Sequence, residues 1–230
     1  MKPASRLFDA EQRRRIDQAV AEAEAKTSAE IVPVVATASG RYDRPEDICG
    51  LWLSVAALVV TWLAMQDAPA EPGNWGGAPA WLPAAWLPAV CLAAAVVLGF
   101  IAGAIVAGRV GWLRRLFTPA GQMRQEVQSS ARRVFFDSRV HRTAGGTGLL
   151  IYISLYERMA AVIADQTIVD RLGQPVLDEL CGQLTARLRP AGPTEAICQT
   201  VRSAGSRLAT VLPRAADDVN ELPDGLVTVD

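Results

Sequence analysis

The chain reads as an α/β fold with a mixed central sheet flanked by helices, interrupted by a two-helix transmembrane hairpin. Three patterns point to it. Two long uncharged stretches, residues 48–65 and 87–107, break an otherwise charged sequence. Runs rich in Val, Ile and Leu, short enough for strands, fall on both sides of those stretches. Segments with helical spacing of apolar residues surround the runs. The expected organisation is residues 1–46 as the first part of a discontinuous domain, 47–110 as the hairpin, and 111–230 as the second part.

Residues 9–26 have Ile16, Ala19, Val20 and Ala23 on one helical face. Asp9 is placed to cap this helix, with Gln12 three residues on to complete a capping box. The run EIVPVVAT at 30–37 has the β-branched content of a strand, and Pro33 inside it predicts an edge position or a bulge.

From residue 48 to 108 the only charges are Asp67 and Glu71. At ~1.5 Å per residue, the first stretch spans roughly 27 Å and the second slightly more, against a hydrocarbon core of ~30 Å. A pair of buried core helices is the rival reading, but a domain this small has too little chain to surround them. Arg41 and Arg44 precede the first span, and Arg109, Arg114 and Arg115 follow the second, while the connector 66–86 has no Lys or Arg. Both flanks are therefore expected in the cytoplasm and the connector outside. The first 25 residues lack an apolar core run, so no cleaved signal peptide is expected and the localisation is a cell inner membrane with both termini inside.

All six tryptophans lie between Trp52 and Trp112, the placement expected of rings at bilayer surfaces. Gly99, Gly103 and Ala107 recur every four residues on the second span. Small residues at that spacing let another helix approach closely, either the first span or a second copy in a homodimer. The spans carry no ionisable side chain apart from cysteine, which fits an anchor better than a transport path.

After the hairpin, Thr118 and Pro119 open a helix reaching about residue 138, with Met123, Val127 and Val134 as its buried stripe. The strands GLLIYIS (148–154) and MAAVIAD (159–165) are separated by four residues, which predicts a β-hairpin. Helices are expected over 175–188, burying Val176, Leu180, Leu184 and Leu188, and over 193–212, burying Ile197, Val201, Ala204, Leu208 and Val211. A lone strand before the membrane hairpin has no stability of its own, so it should share a sheet with the later strands. The competing picture is an independent N-terminal helix and a separate C-terminal domain.

Net charge is −1, without the basic footprint of a nucleic-acid binder. Four cysteines without a C-x-x-C pair, and one histidine, give no zinc pattern and read as reduced thiols. The run Gly145-Gly146-Thr147-Gly148 lacks the lysine of a phosphate loop and leads into a strand, so it reads as a turn. His141, the only histidine, is a candidate general base or ligand, with a structural cap or core hydrogen bond as its alternative. Ser154 ends a strand but no G-x-S-x-G elbow surrounds it. Asp217, Asp218, Asn220, Glu221 and Asp224 gather oxygen ligands of the kind calcium or magnesium prefers, and Asp165 could add another carboxylate. Their spacing is not that of an EF-hand, and a solvated acidic tail accounts for them equally.

The segments AEAEAKTSAEIVPVV, FFDSRVHRTAGGTGLLIYISLYERMAAVIAD and DDVNELPDGL together resemble the TPM domain family, in particular its bacterial branch with an integral membrane hairpin. The resemblance covers residues 9–36 and 130–226. It implies an α/β sandwich with a mixed central sheet. It also implies two kinds of activity. Some members are acid phosphatases with clustered acids near a metal ion, a part that Asp165, Asp217, Asp218, Glu221 and Asp224 would have to play here. Others assist assembly or repair of membrane complexes. Many members carry a cleaved signal peptide and act outside the cytoplasm, unlike the orientation expected here. The first expectation is thus a domain at the membrane's inner face that binds a protein partner or supports a membrane assembly. The second is a metal-dependent phosphatase.

Overall fold

Seven residues of β1 (Glu30–Ala36) lie beside seven of β2 (Gly148–Ser154) in unbroken parallel register, Glu30 opposite Gly148 and Ala36 opposite Ser154. Every residue of both strands is buried, as continuous Val/Ile/Leu runs require when a sheet is covered on both faces. This computed structural model describes residues 3–40, 44–66, 83–109, 118–143, 145–215, 221–222 and 225–230. The chain divides into two compact units: Met1–Arg41 with Ala120–Asp230, and Tyr42–Pro119.

The first unit holds a four-stranded mixed sheet in the order β3-β2-β1-β4. β3 (Met159–Ala164) runs antiparallel to β2, joined by the short turn expected from sequence. β4 (Val227–Val229) runs parallel to β1 on its other side. This last strand lies in the tail that the sequence had marked only as acidic; three residues are too few for a periodic signal. β1 is therefore interior rather than at an edge, yet β4 pairs only with Val34–Ala36, so Pro33 lies just before that pairing begins. The missing N–H of Pro33 is tolerated for that reason.

Alternation along the strands divides the core. Ile31, Val35, Leu149, Ile151 and Ile153 face one side, with α1 (Ala10–Glu24), α5 (Gln166–Leu172), α6 (Gln174–Leu188) and α7 (Gly192–Val211). Val32, Val34, Ala36, Leu150 and Tyr152 face the other, with α4 (Ala120–Asp137). Each fully buried Ile or Leu contributes about 1.5–3 kcal/mol of apolar transfer, so the two faces together carry the stability of the unit.

α1 starts as its sequence demands. The Gln12 N–H donates to Asp9 Oδ1 at 2.7 Å, and the Asp9 N–H to Gln12 Oε1 at 3.1 Å. α4 buries Met123, Val127, Ala131 and Phe135, a stripe at strict four-residue spacing, while Val134 is only partly covered. In α6 the buried stripe is Leu177, Leu180 and Leu184; Val176 turns one position away from it, and Leu188 packs at its margin. α5 was not visible in the sequence because two turns are too short to show helical periodicity.

The second unit is a pair of helices, α2 (Arg44–Gln66) and α3 (Pro83–Arg109). Each contains a window long and apolar enough to cross a membrane, Glu46–Met65 and Pro88–Arg109. Only 11% of each window is buried by protein, which is the reverse of a core helix. Trp52 is 70% exposed, and Val60 and Leu98 are 65% exposed. Where α2 and α3 meet, the contact is backbone to backbone. A Cβ built on Gly99 would stand 2.9 Å from the Leu53 carbonyl oxygen, and one on Gly103 would stand 2.6 Å from that of Cys49. Ala107 is fully buried.

Candidate functional site

Three places in the α/β unit gather polar or chemically active groups. The first is the end of the sheet where β1 and β2 begin. The Glu30 N–H donates to the Thr147 carbonyl at 3.1 Å, and Glu30 Oε1 accepts from the Glu221 N–H at 3.1 Å. Asp165, just past β3, exchanges two bonds with Gly148: its own N–H donates to the Gly148 carbonyl, and its Oδ2 accepts from the Gly148 N–H, both at 2.9 Å. Gly148 must be a glycine, since a Cβ there would lie 2.2 Å from the Val140 carbonyl oxygen.

His141 sits at this end too, in the 3-10 turn Val140–Arg142 that follows α4. Its ring packs edge-on against Phe136, centroids 5.0 Å apart, and more distantly against Phe135. Its Nδ1 is buried without a hydrogen-bond partner among the described residues. A general base is normally oriented by a hydrogen bond to its far nitrogen, so this packing describes a ring in an aromatic contact rather than a tuned base.

The second place is the opposite end, where β1 and β2 finish. Glu157 is 1% exposed and Ser154 fully buried. The Ser154 hydroxyl donates to Glu157 Oε2, and the Ser39 N–H donates to Glu157 Oε1 at 2.9 Å. The Tyr152 hydroxyl meets Ser39 Oγ at 3.0 Å and Ser130 Oγ at 2.9 Å. The Leu155 and Tyr156 N–H groups donate to the Ala36 and Thr37 carbonyls. A serine beside a carboxylate resembles a nucleophile and its base, but both residues are buried. This network fastens the β2–β3 turn to the end of β1.

The third place is open to solvent. A hollow of about 640 Å³ runs along all of β3 between α4 and α6. A second, of about 990 Å³, continues over α6 toward Arg189 and Pro193. Arg158, Asp178, Cys181 and Thr185 line both. Arg124 and Arg132 project from α4 into the first. The Cys181 thiol donates to the Ala160 carbonyl at 3.2 Å. Burial, and then the nearby Asp178 carboxylate, push this thiol above the ordinary cysteine range.

The fold is similar to that of the BA42 protein. That protein, from the psychrophilic bacterium Bizionia argentinensis, has a solved NMR structure that matches with a TM-score of 0.56 over 99% of both chains, at 15% identity. Likeness at that identity extends to the fold alone. No protein-family profile and no curated protein matches the chain.

Of the five acids named from sequence, Asp165 and Glu221 belong to the same end of the sheet. They are separated by β2 and β1: Asp165 is beside Gly148, and Glu221 is beside Glu30. Asp217, Asp218 and Asp224 lie outside the described residues. Among the described residues no three His, Cys, Asp or Glu side chains gather as a metal-ligand set. Glu30, Glu157 and the β3 hollow were missed in the sequence. Glu30 and Glu157 had no signal beyond their position at strand ends, and the hollow exists only once α4 and α6 are placed on opposite faces of β3.

Proposed function

We propose that this chain is a two-span protein of a bacterial inner membrane whose α/β domain works at the cytoplasmic face as a TPM-type module binding a protein partner. The observation that carries the reading is where the spanning helices are inserted. They lie between β1 and β2, which are hydrogen-bonded neighbours in one sheet. A chain that leaves β1, crosses a membrane and returns to β2 must cross twice. Arginines flank the crossing on both outer sides and are lacking from the connector, which supports the inward orientation. The branch of the TPM family resembled in sequence also carries an integral membrane hairpin.

Reporter fusions test this. Alkaline phosphatase inserted in the connector should be active, and a fluorescent protein at the carboxyl end should fluoresce. Activity of the same reporter type at both positions would refute the two-span topology. Site-directed cross-linking from the α/β domain in intact membranes should then give a reproducible protein adduct, and its failure at every surface position would remove partner binding.

Metal-dependent phosphoryl hydrolysis is the second reading, favoured by one contact: the Glu221 N–H ties the start of the acidic NELPD stretch to Glu30 beside the β1–β2 end. Calcium or magnesium held by the acids would neutralise phosphate charge and activate water. An aryl phosphate assayed with and without chelator tests it, and activity indifferent to the Asp217→Ala, Asp218→Ala pair would remove these acids from the mechanism.

A further inference from the structure

β3 is an outer strand of the sheet, and among the described residues no strand lies beyond it. The hydrogen-bond pattern settles which backbone groups look outward. Asp165 donates its N–H to Gly148, so the rung they form is a bonded pair. In an antiparallel ladder bonded pairs alternate, which turns Met159, Ala161 and Ile163 toward β2. Ala160, Val162 and Ala164 therefore turn their N–H and C=O groups away from β2. The Cys181 side chain agrees independently, since from outside the sheet it engages the Ala160 carbonyl and the Val162 N–H. The groups left to a further strand are the Val162 carbonyl and the N–H and C=O of Ala164.

Exposed strand edges are ordinarily blunted by proline, lysine, a bulge or a covering segment, because they template the pairing of another chain. β3 has no proline or lysine, its register with β2 is continuous, and three of its six residues are alanine. Such small side chains leave the backbone accessible at the floor of the hollow. The walls are cationic. Arg124, Arg132 and Arg158 face it, against Asp178 alone among acids of the described residues.

We propose that the open edge of β3 receives an extended acidic segment of a partner protein as a fifth strand. This rests on the partner-binding reading above and names the chemistry of the partner. The incoming backbone pairs with the Val162 carbonyl and with Ala164, the mode in which main-chain bonds give affinity and side chains give selectivity. Arg124 and Arg132 are two helical turns apart, about 12 Å along α4. An extended chain covers that distance in about four residues, so acids four apart on one face of the peptide match the two guanidinium groups.

The test uses the full chain in detergent micelles, panned against displayed random peptides of about ten residues, the upper length of an ordinary strand. The enriched peptides should be acidic. Binding should slow amide exchange at Ala164, and the exposed double change Arg124→Glu, Arg132→Glu should weaken it by about tenfold or more. Ala164→Pro should abolish binding while leaving β1 exchange unchanged, because that N–H points away from β2. Should Ala164→Pro fail to fold, the double arginine change decides alone. An empty selection, a pool without acidic bias, indifference to charge reversal, or protection confined to other elements overturns the proposal. Cross-linking to a partner elsewhere on the domain would overturn this site and leave the broader reading intact. An inverted reporter topology would do the opposite.

Discussion

Two glycine-to-alanine changes in neighbouring helices should have opposite signs, and the reason is visible in what each new methyl group would touch. Gly182 lies inside α6 with nothing within 4 Å of its Cβ position. Gly205 lies inside α7, where a Cβ would stand 2.6 Å from the Ala23 Cβ and 3.0 Å from the Ala23 Cα of α1. Both changes gain the same helix propensity, about 0.5–1 kcal/mol. At Gly182 that gain is the whole effect. At Gly205 the contact must open by most of an ångström, and because Ala23 has no rotamer the helices themselves must move. Overpacking of this kind costs about 1–3 kcal/mol, so Gly205→Ala should end about 0.5–2 kcal/mol less stable. The six tryptophans all lie between Trp52 and Trp112, so their fluorescence does not report this core. Urea-dependent hydrogen exchange of the β2 peptide does. Gly182→Ala should move its midpoint up and Gly205→Ala down. A shift of the same sign and size for both would show that the α1–α7 contact is soft and that the packing argument is wrong.

Other outcomes follow from single contacts. Gly103→Leu should lower the thermal stability of the α2–α3 pair in detergent by about 1–3 kcal/mol, because the obstructing atoms are Cys49 and Gly50 backbone; an unchanged melting curve would count against close apposition. Cys181, with its thiol raised by burial and by Asp178, should be alkylated more slowly than a free cysteine at neutral pH, and Asp178→Asn should speed the reaction, as read by peptide mass spectrometry. The Asp230 carboxylate is held below its ordinary range by the Ser5 hydroxyl and N–H and then by the Thr37 hydroxyl. Its contribution to stability is therefore present above the unfolded value of 3.8 and lost as pH falls through the lower folded value. Asp230→Asn should weaken the domain near neutrality and converge with the parent chain in strong acid, measured by exchange in β4.

What could be read from the sequence was whatever repeats. Ile16, Ala19, Val20 and Ala23 gave α1 its inner face, and the Val-, Ile- and Leu-rich runs gave β1 and β2 as strands, though not that both are covered on each face. Asp9 and Gln12 marked a helix start because capping is local chemistry. β4 and α5 escaped because three and seven residues hold too few periods. The roles of Glu30 and Glu157 escaped for a different reason: each depends on residues far along the chain, Glu221 for one and Ser39 for the other. The β3 edge belongs to the same class, since a strand pattern does not say which neighbour it will lack.

The pairing of Glu30 with Gly148 sets a timetable for biosynthesis. The first strand leaves the ribosome more than a hundred residues ahead of its partner, and both helices long and apolar enough to cross a membrane are made in the interval. Contacts this distant in sequence form slowly and leave an unsatisfied edge waiting. Nascent chains stalled before residue 148 should thus be bound by holdase chaperones, and the α/β unit should mature only after the two apolar helices have been made.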